Sequence, residues 1–186
     1  MACNKPLRGW DSVNGGFTLS FKDAYHDMPM EVPCGQCMGC RLAKTASWAT
    51  RICHEAQSYE DNAFVTLTYN DDNLPSGNTL VLKHVQDFFK RLRKYLEPEK
   101  IRYYCAGEYG DLSLRPHYHA IIFNYWPDDV ELYKNTDYGK LYMSDRLQRI
   151  WKYGFVTIGA VTYETAAYTA SYVTKKITGD KEKIKE

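Results

Sequence analysis

Residues 117–123, HYHAIIF, restrict the fold more than any other stretch of the chain. Their apolar, β-branched and aromatic content is that of a buried strand. Side chains in a strand alternate between two faces. His117, His119 and Ile121 therefore point one way, and Tyr118, Ala120 and Ile122 the other. Two imidazoles side by side on a packed face are costly to bury unless something binds them. A divalent metal ion is the natural candidate, because neutral imidazole is a good ligand for transition metals. Two surface histidines on a wet sheet face are the plainer alternative.

The neighbouring segments read as strands alternating with helices. AFVTLTY (63–69), KIRYYCAGEYG (100–110) and FVTIGAVT (155–162) are strand-like. The second should form an antiparallel hairpin with 117–123 across the turn GDLSLRP. Helical spacing of Leu42, Trp48 or Ala49, Ile52 and Ala56 marks residues 41–60. Val85, Phe88, Phe89, Leu92 and Leu96 mark an amphipathic helix over 83–96, stopped before Pro98. SDRLQRIWKYG (144–154) reads as a helix with Ser144 or Asp145 as N-cap and Gly154 past its end. YETAAYTASYVTKKIT (163–178) is a closing helix. Residues 1–40 are expected to be irregular apart from a short strand near GGFTLSF, and 124–142 to be a polar loop or insertion. The sum is an α+β fold, a mainly antiparallel central sheet with packed helices. At 186 residues, the chain suits one main domain over 41–186 with a cysteine-rich appendage over 1–40.

A third ligand should stand near the two histidines, and Glu108 is the candidate. Tyr104, Ala106 and Glu108 share a face of the partner strand, and opposed residues on one face of a hairpin come within about 5 Å. Two imidazoles and a carboxylate leave positions open for water or a phosphate oxygen, which suits a Lewis acid. Mn²⁺ or Mg²⁺ fits phosphate chemistry, and Zn²⁺ would also bind. Arg115, beside the histidines, is placed to reach a phosphate.

CGQCMGC supplies Cys34, Cys37 and Cys40. Three thiolates need a fourth ligand for tetrahedral Zn²⁺. Cys3 is the best candidate, with His26, Cys53 and His54 as alternatives. An iron–sulfur cluster also fits the spacing, but no redox partner motif accompanies it. Cys105 reads as a core thiol. No run of about 18 apolar residues exists and MACNKPLRGW lacks an apolar core, so a cytosolic chain without a membrane span or signal peptide is expected. In that compartment the six cysteines are thiols or metal ligands rather than disulfides. The net charge of +1 gives no global nucleic-acid signal, but Lys90, Arg91, Arg93 and Lys94 cluster, as do Lys175 and Lys176. A solvated helix face explains the first run equally well. The 16 tyrosines and four tryptophans exceed what a core of this size needs and suit base stacking.

Tyr168 and Tyr172, four apart, stack on one helix face with Lys176 four further on and Lys175 nearby. Such a pair is ordinarily packing material. Beside a metal it can instead attack a phosphodiester, forming a covalent phosphotyrosine, with a lysine stabilising the charge.

FVTLTY, GEYGDLSLRPHYHAIIF and YTASYVTKK, in this order, resemble the HUH endonucleases of rolling-circle replication. With PCGQCMGCR and HEAQSYEDNAFVTLTYNDDNLP, the chain is similar to the replication initiators of gokushovirus-type microviruses from Cys3 to Lys176. The resemblance implies an RRM-like HUH fold with metal ligands His117, His119 and Glu108, nucleophiles Tyr168 and Tyr172, and Lys175 or Lys176 in support. It implies origin-specific cutting of single-stranded DNA, a 5′-phosphotyrosine adduct, a 3′-hydroxyl primer and strand rejoining by the second tyrosine. It further implies a host bacterial cytoplasm, host helicase and polymerase as partners, and a chain that continues past the tyrosine helix. A non-catalytic single-stranded nucleic-acid-binding module with structural zinc is the alternative, and a transposase or relaxase of the same chemistry a third reading.

Overall fold

The computed structural model describes residues 3–110, 113–137 and 139–177, with the backbone alone for 174–177. Its main sheet has six strands in the order β5-β6-β4-β9-β8-β7, all neighbours antiparallel. These are β4 (Asn62–Thr68), β5 (Arg102–Tyr109), β6 (Pro116–Phe123), β7 (Val130–Thr136), β8 (Gly139–Ser144) and β9 (Val156–Ala160). Four helices accompany it: α1 (Met38–Ala56), α2 (Leu82–Leu96), α3 (Asp145–Trp151) and α4 (Tyr163–Ile177). The expected α+β class, with a mainly antiparallel sheet and packed helices, is what the chain adopts.

Period-two alternation sorts the core into two layers. Ala63, Val65 and Leu67 of β4, Tyr118, Ala120 and Ile122 of β6, and Val156 and Ile158 of β9 meet α2 and α3 through Val85, Phe88, Phe89, Leu92, Leu147 and Trp151. On the other face Ile121 and Phe123 of β6 meet Ala49 and Ile52 of α1 and Ala166 and Ala170 of α4. Strand β6 is thus covered on both sides, which explains its nearly unbroken apolar run. Leu42, placed on the buried stripe of α1 by spacing, is 40% exposed; Ala49 and Ile52 carry the contact instead.

Two expectations are corrected. Residues 124–142 are not a loop: β7 and β8 form an antiparallel hairpin that adds two strands to the sheet. Most of β7 is exposed, so pairing builds it without the burial that would have written alternation into its sequence. Residues 1–40 hold a second sheet, β2-β1-β3, from β1 (Leu7–Ser12), β2 (Phe17–Thr18) and β3 (Ala24–Val32). Its nine-residue β3 is largely exposed and escapes a hydrophobic pattern for the same reason.

Ser144 is the N-cap of α3, its hydroxyl accepting from the Leu147 N–H at 3.0 Å. The helix closes on Lys152, which takes the left-handed conformation at φ 72°, rather than on a glycine. Gly154 serves a different need: a Cβ there would lie 2.4 Å from Thr68 O and Asn70 N, so only glycine lets this turn approach β4. Arg91 does not face bulk solvent, as its run suggested. Its Nε donates to Ile150 O at 2.8 Å and its Nη2 to Trp151 O at 3.2 Å, satisfying the carbonyl end of α3.

Candidate active site

Strand register assembles the first three residues. Glu108 lies directly opposite His117 in the β5–β6 pair, and Ala106 opposite His119. His117 Nε2 is 2.5 Å and His119 Nε2 3.4 Å from Glu108 Oε1. Ligand atoms of all three residues lie within 4.8 Å of one another. Glu108 is 7% exposed. Burial alone would raise its carboxyl, but hydrogen bonds and charge from His117 and His119 outweigh it and hold the group down at about 2.

The residues around the triad set its ring orientations. His117 Nδ1 is 3.1 Å from Arg115 O, a group that can only accept, so Nδ1 carries the hydrogen. His119 Nδ1 is 3.0 Å from the Thr66 hydroxyl. Donation from Nδ1–H to that oxygen leaves the Nε2 lone pair on the side of Glu108. His119 Nε2 and Glu108 Oε2 are buried without a hydrogen-bond partner. Two converging, unsatisfied ligand atoms next to a carboxylate fit a divalent ion, which would satisfy both.

Sequence reasoning missed Thr66 and Phe64. Thr66 lies opposite His119 in the β4–β6 register, and the Phe64 ring stacks on His119 at 5.7 Å between centroids. The available signal was alternation in FVTLTY, which puts Phe64, Thr66 and Thr68 on one face; only the strand order shows that this face is the histidines' own.

Helix α4 begins with reciprocal bonds at its first turn. The Thr165 N–H donates to Thr162 Oγ1 at 3.3 Å and the Thr162 N–H to Thr165 Oγ1 at 2.9 Å. Glu164 stands in that turn, and hydrogen bonds from its own N–H and from Thr162 lower its carboxyl. Ala166 and Ala170 seat the helix on α1 and β6. Tyr168 and Tyr172, on another side, reach the triad. The His119 ring centroid is 4.9 Å from that of Tyr168 and 5.7 Å from that of Tyr172, and the two phenol rings are 4.9 Å apart. The Tyr168 hydroxyl is 3.5 Å from Glu108 Oε1, and the residue is 43% exposed. Lys175 and Lys176 fall on the last turn of α4, and their side chains lie outside the described residues.

Arg115 stands at the rim. Its Nη1 pairs with Asp71 Oδ1 at 2.7 Å and its Nη2 donates to Tyr69 O at 3.1 Å. A phosphate there would compete with Asp71, itself highly exposed.

A second cluster joins Cys3, Cys34, Cys37 and Cys40, with sulfur atoms within 4.8 Å of one another. Gly35 makes the turn at φ +76°, Cys37 is the N-cap of α1, and Cys40 lies in its first turn. Cys3 and Cys37 sulfurs are 3.8 Å apart, and all six cysteines are free thiols. The N–H groups of Asn4 and Cys40 bring the Cys37 thiol down to about 6, whereas burial pushes Cys40 up to about 12. The alternatives lie elsewhere: His26 stacks on Phe21, and Cys53 packs in the α1–α4 layer. Four sulfurs alone match a tetrahedral thiolate site.

A family model described as a replication-associated protein of the ORF2 type matches residues 62–177. That span opens at β4 and closes with α4, taking in the triad and both tyrosines. Among curated proteins, the chain is 33% identical over 185 residues to replication-associated protein VP4 of Bdellovibrio phage phiMH2K, covering 95% of this chain and 59% of that protein. It is 40% identical over 200 residues to replication-associated protein ORF2 of Spiroplasma virus 4, covering 95% and 62%. It is 34% identical over 165 residues to replication-associated protein ORF4 of Chlamydia phage 1, covering 83% and 41%. The chain thus spans about three-fifths of the length of the first two relatives. No solved structure matches it. Among the described residues, no helix is long and apolar enough to cross a membrane.

Proposed function

Because this chain belongs to the ORF2-type family of replication-associated proteins, we propose that it initiates phage DNA replication by nicking single-stranded DNA at an origin. The observation that carries this reading is the placement of Tyr168 and Tyr172 over His119, with the Tyr168 hydroxyl beside Glu108. A divalent ion held by Glu108, His117 and His119 would supply positive charge to the non-bridging phosphate oxygens. A tyrosine oxygen attacks phosphorus; the new bond is Tyr Oη–P and the broken one is P–O3′. The phenolic proton leaves to solvent and the departing oxygen takes up a proton as the 3′-hydroxyl. The 5′ end stays on the protein as a phosphotyrosine, and the 3′-hydroxyl primes synthesis. The second tyrosine repeats the attack after a round of synthesis, and the freed hydroxyl reverses the first bond to rejoin the strand. Thr66 and Arg115 O hold the imidazoles in the orientation this needs, and Arg115 offers a guanidinium to the phosphate at the rim. Lys175 or Lys176 would steady the developing charge. The four-cysteine cluster would hold Zn²⁺ and fix the start of α1, which backs α4.

The test is incubation of the protein with a labelled single-stranded origin oligonucleotide and Mn²⁺. A covalent protein–DNA adduct should form, and Tyr168→Phe with Tyr172→Phe should abolish it. An adduct persisting in the double variant means other residues attack. Binding without any adduct under all metal conditions means the chain is a non-catalytic module.

A further inference from the structure

A cleft of about 490 Å³ opens at the end of the main sheet remote from the triad. Tyr125, on its wall, stands eight positions after His117, so at about 3.3 Å per residue the two sites are roughly 25 Å apart. Its other aromatic walls are Tyr95 and Trp126, and its acids are Asp61, Glu99 and Asp128. The one cation among its described lining residues, Arg146, is already engaged: it pairs with Asp128 and its guanidinium lies 5.4 Å from the Tyr95 ring centre. Asp61 and Glu99 have no ion pair among the described residues and leave the cleft negative.

A second observation, independent of the acids, points to a ligand. Tyr125 is 7% exposed, tied by its N–H to Asp61 O at 3.0 Å. Its hydroxyl has no hydrogen-bond partner among the described residues. The groups that bear on that hydroxyl are Asp129, Tyr95, Arg146 and Asp128, and the last three line the cleft, so the phenol is aimed into it. Buried hydroxyls are nearly always satisfied.

We propose that this cleft receives a lysine or arginine side chain from a basic segment of a protein partner. The aliphatic stem lies along Trp126 and Tyr95, whose faces attract a cation. The charged head meets Asp61 and Glu99, and the Tyr125 hydroxyl accepts one of its N–H groups. A phosphodiester is repelled by the same carboxylates, which separates this surface from the DNA site. Neither the cleft nor its occupant depends on the nicking chemistry.

The experiment follows tryptophan indole N–H signals by NMR during titration with capped Gly-Ala-Lys-Ala-Gly, its arginine counterpart and its norleucine counterpart. The Lys and Arg peptides should move the Trp126 signal saturably while Trp10 and Trp48 stay in place; norleucine should not. Asp61→Asn with Glu99→Gln should weaken binding at least tenfold, and Tyr125→Phe about threefold. The Trp151 indole, bonded to Thr68 O at 2.8 Å, reports an intact fold in each variant. Equal shifts with norleucine, or unchanged affinity in the folded charge variant, overturn the proposal. So does a Trp126 shift produced by hexathymidylate and not by the basic peptides.

Discussion

Replacing Thr66 by Val tests whether the triad is a metal centre. The hydroxyl is 3.0 Å from His119 Nδ1, and the imidazole is 5% exposed, so water does not readily take its place. Valine keeps the β-branched shape and suits strand β4, which is held between β6 and β9. The loss is therefore that of one oriented hydrogen bond. Leaving a buried N–H unsatisfied costs about 1–3 kcal/mol. Removing an outer-sphere partner of a metal-bound imidazole typically costs ten- to hundredfold in affinity, or about 1.4–2.8 kcal/mol. The two estimates agree, so the Kd for Mn²⁺ by calorimetry should rise ten- to hundredfold in Thr66→Val. Thr66→Ser, which restores the oxygen, should stay within about threefold of the parent. Adduct formation by Thr66→Val should recover at saturating Mn²⁺. Unchanged Mn²⁺ affinity in the valine variant, or an equal loss in the serine one, would refute the reasoning.

Three further outcomes are expected. The Glu108 carboxyl is held at about 2 against an ordinary 4.5; a depressed value means its stabilisation of the metal-free protein is complete above pH 4.5 and lost as pH falls towards 2. The difference is worth roughly 3 kcal/mol, and urea melts of Glu108→Gln across that range should lack the step; identical slopes would count against it. Gly154→Ala puts a methyl against backbone atoms of Thr68 and Asn70 at φ +155°, so denaturation should show a loss of roughly 2–4 kcal/mol. Cys37→Ser should release one metal equivalent in native mass spectrometry, while His117→Ala with His119→Ala should leave that equivalent in place; retention of full metal by Cys37→Ser would mean the four sulfurs do not act as a site.

Legibility in the sequence followed burial. Strands β4, β5, β6 and β9 and helices α1 to α4 bury one face or both, and each left a period in the chain. The β7–β8 hairpin and β3 bury little, and neither left one. The pairing of Glu108 with His117 was readable because a short turn fixes hairpin register. Thr66 was not, because 53 residues separate it from His119 and nothing local says that β4 lies next to β6. Arg91 illustrates the reverse error: within its own helix it is one of several surface cations, and only the docking of α3 gives it carbonyls to bind.

By itself the sequence determined which side chains share a face: His117 with His119, Tyr168 with Tyr172, and Cys34, Cys37 and Cys40 along one turn. These follow from strand and helix periods and from glycine-permitted geometry, all short-range properties of the backbone. Tertiary structure alone decided that α4 crosses the sheet so that its phenols meet the imidazoles of β6, that Cys3 returns to complete the sulfur cluster, and that Trp126 and Tyr95 close a cleft at the opposite end. Those meetings depend on strand order and helix docking, which arise from burying whole layers at once and are encoded in no single segment.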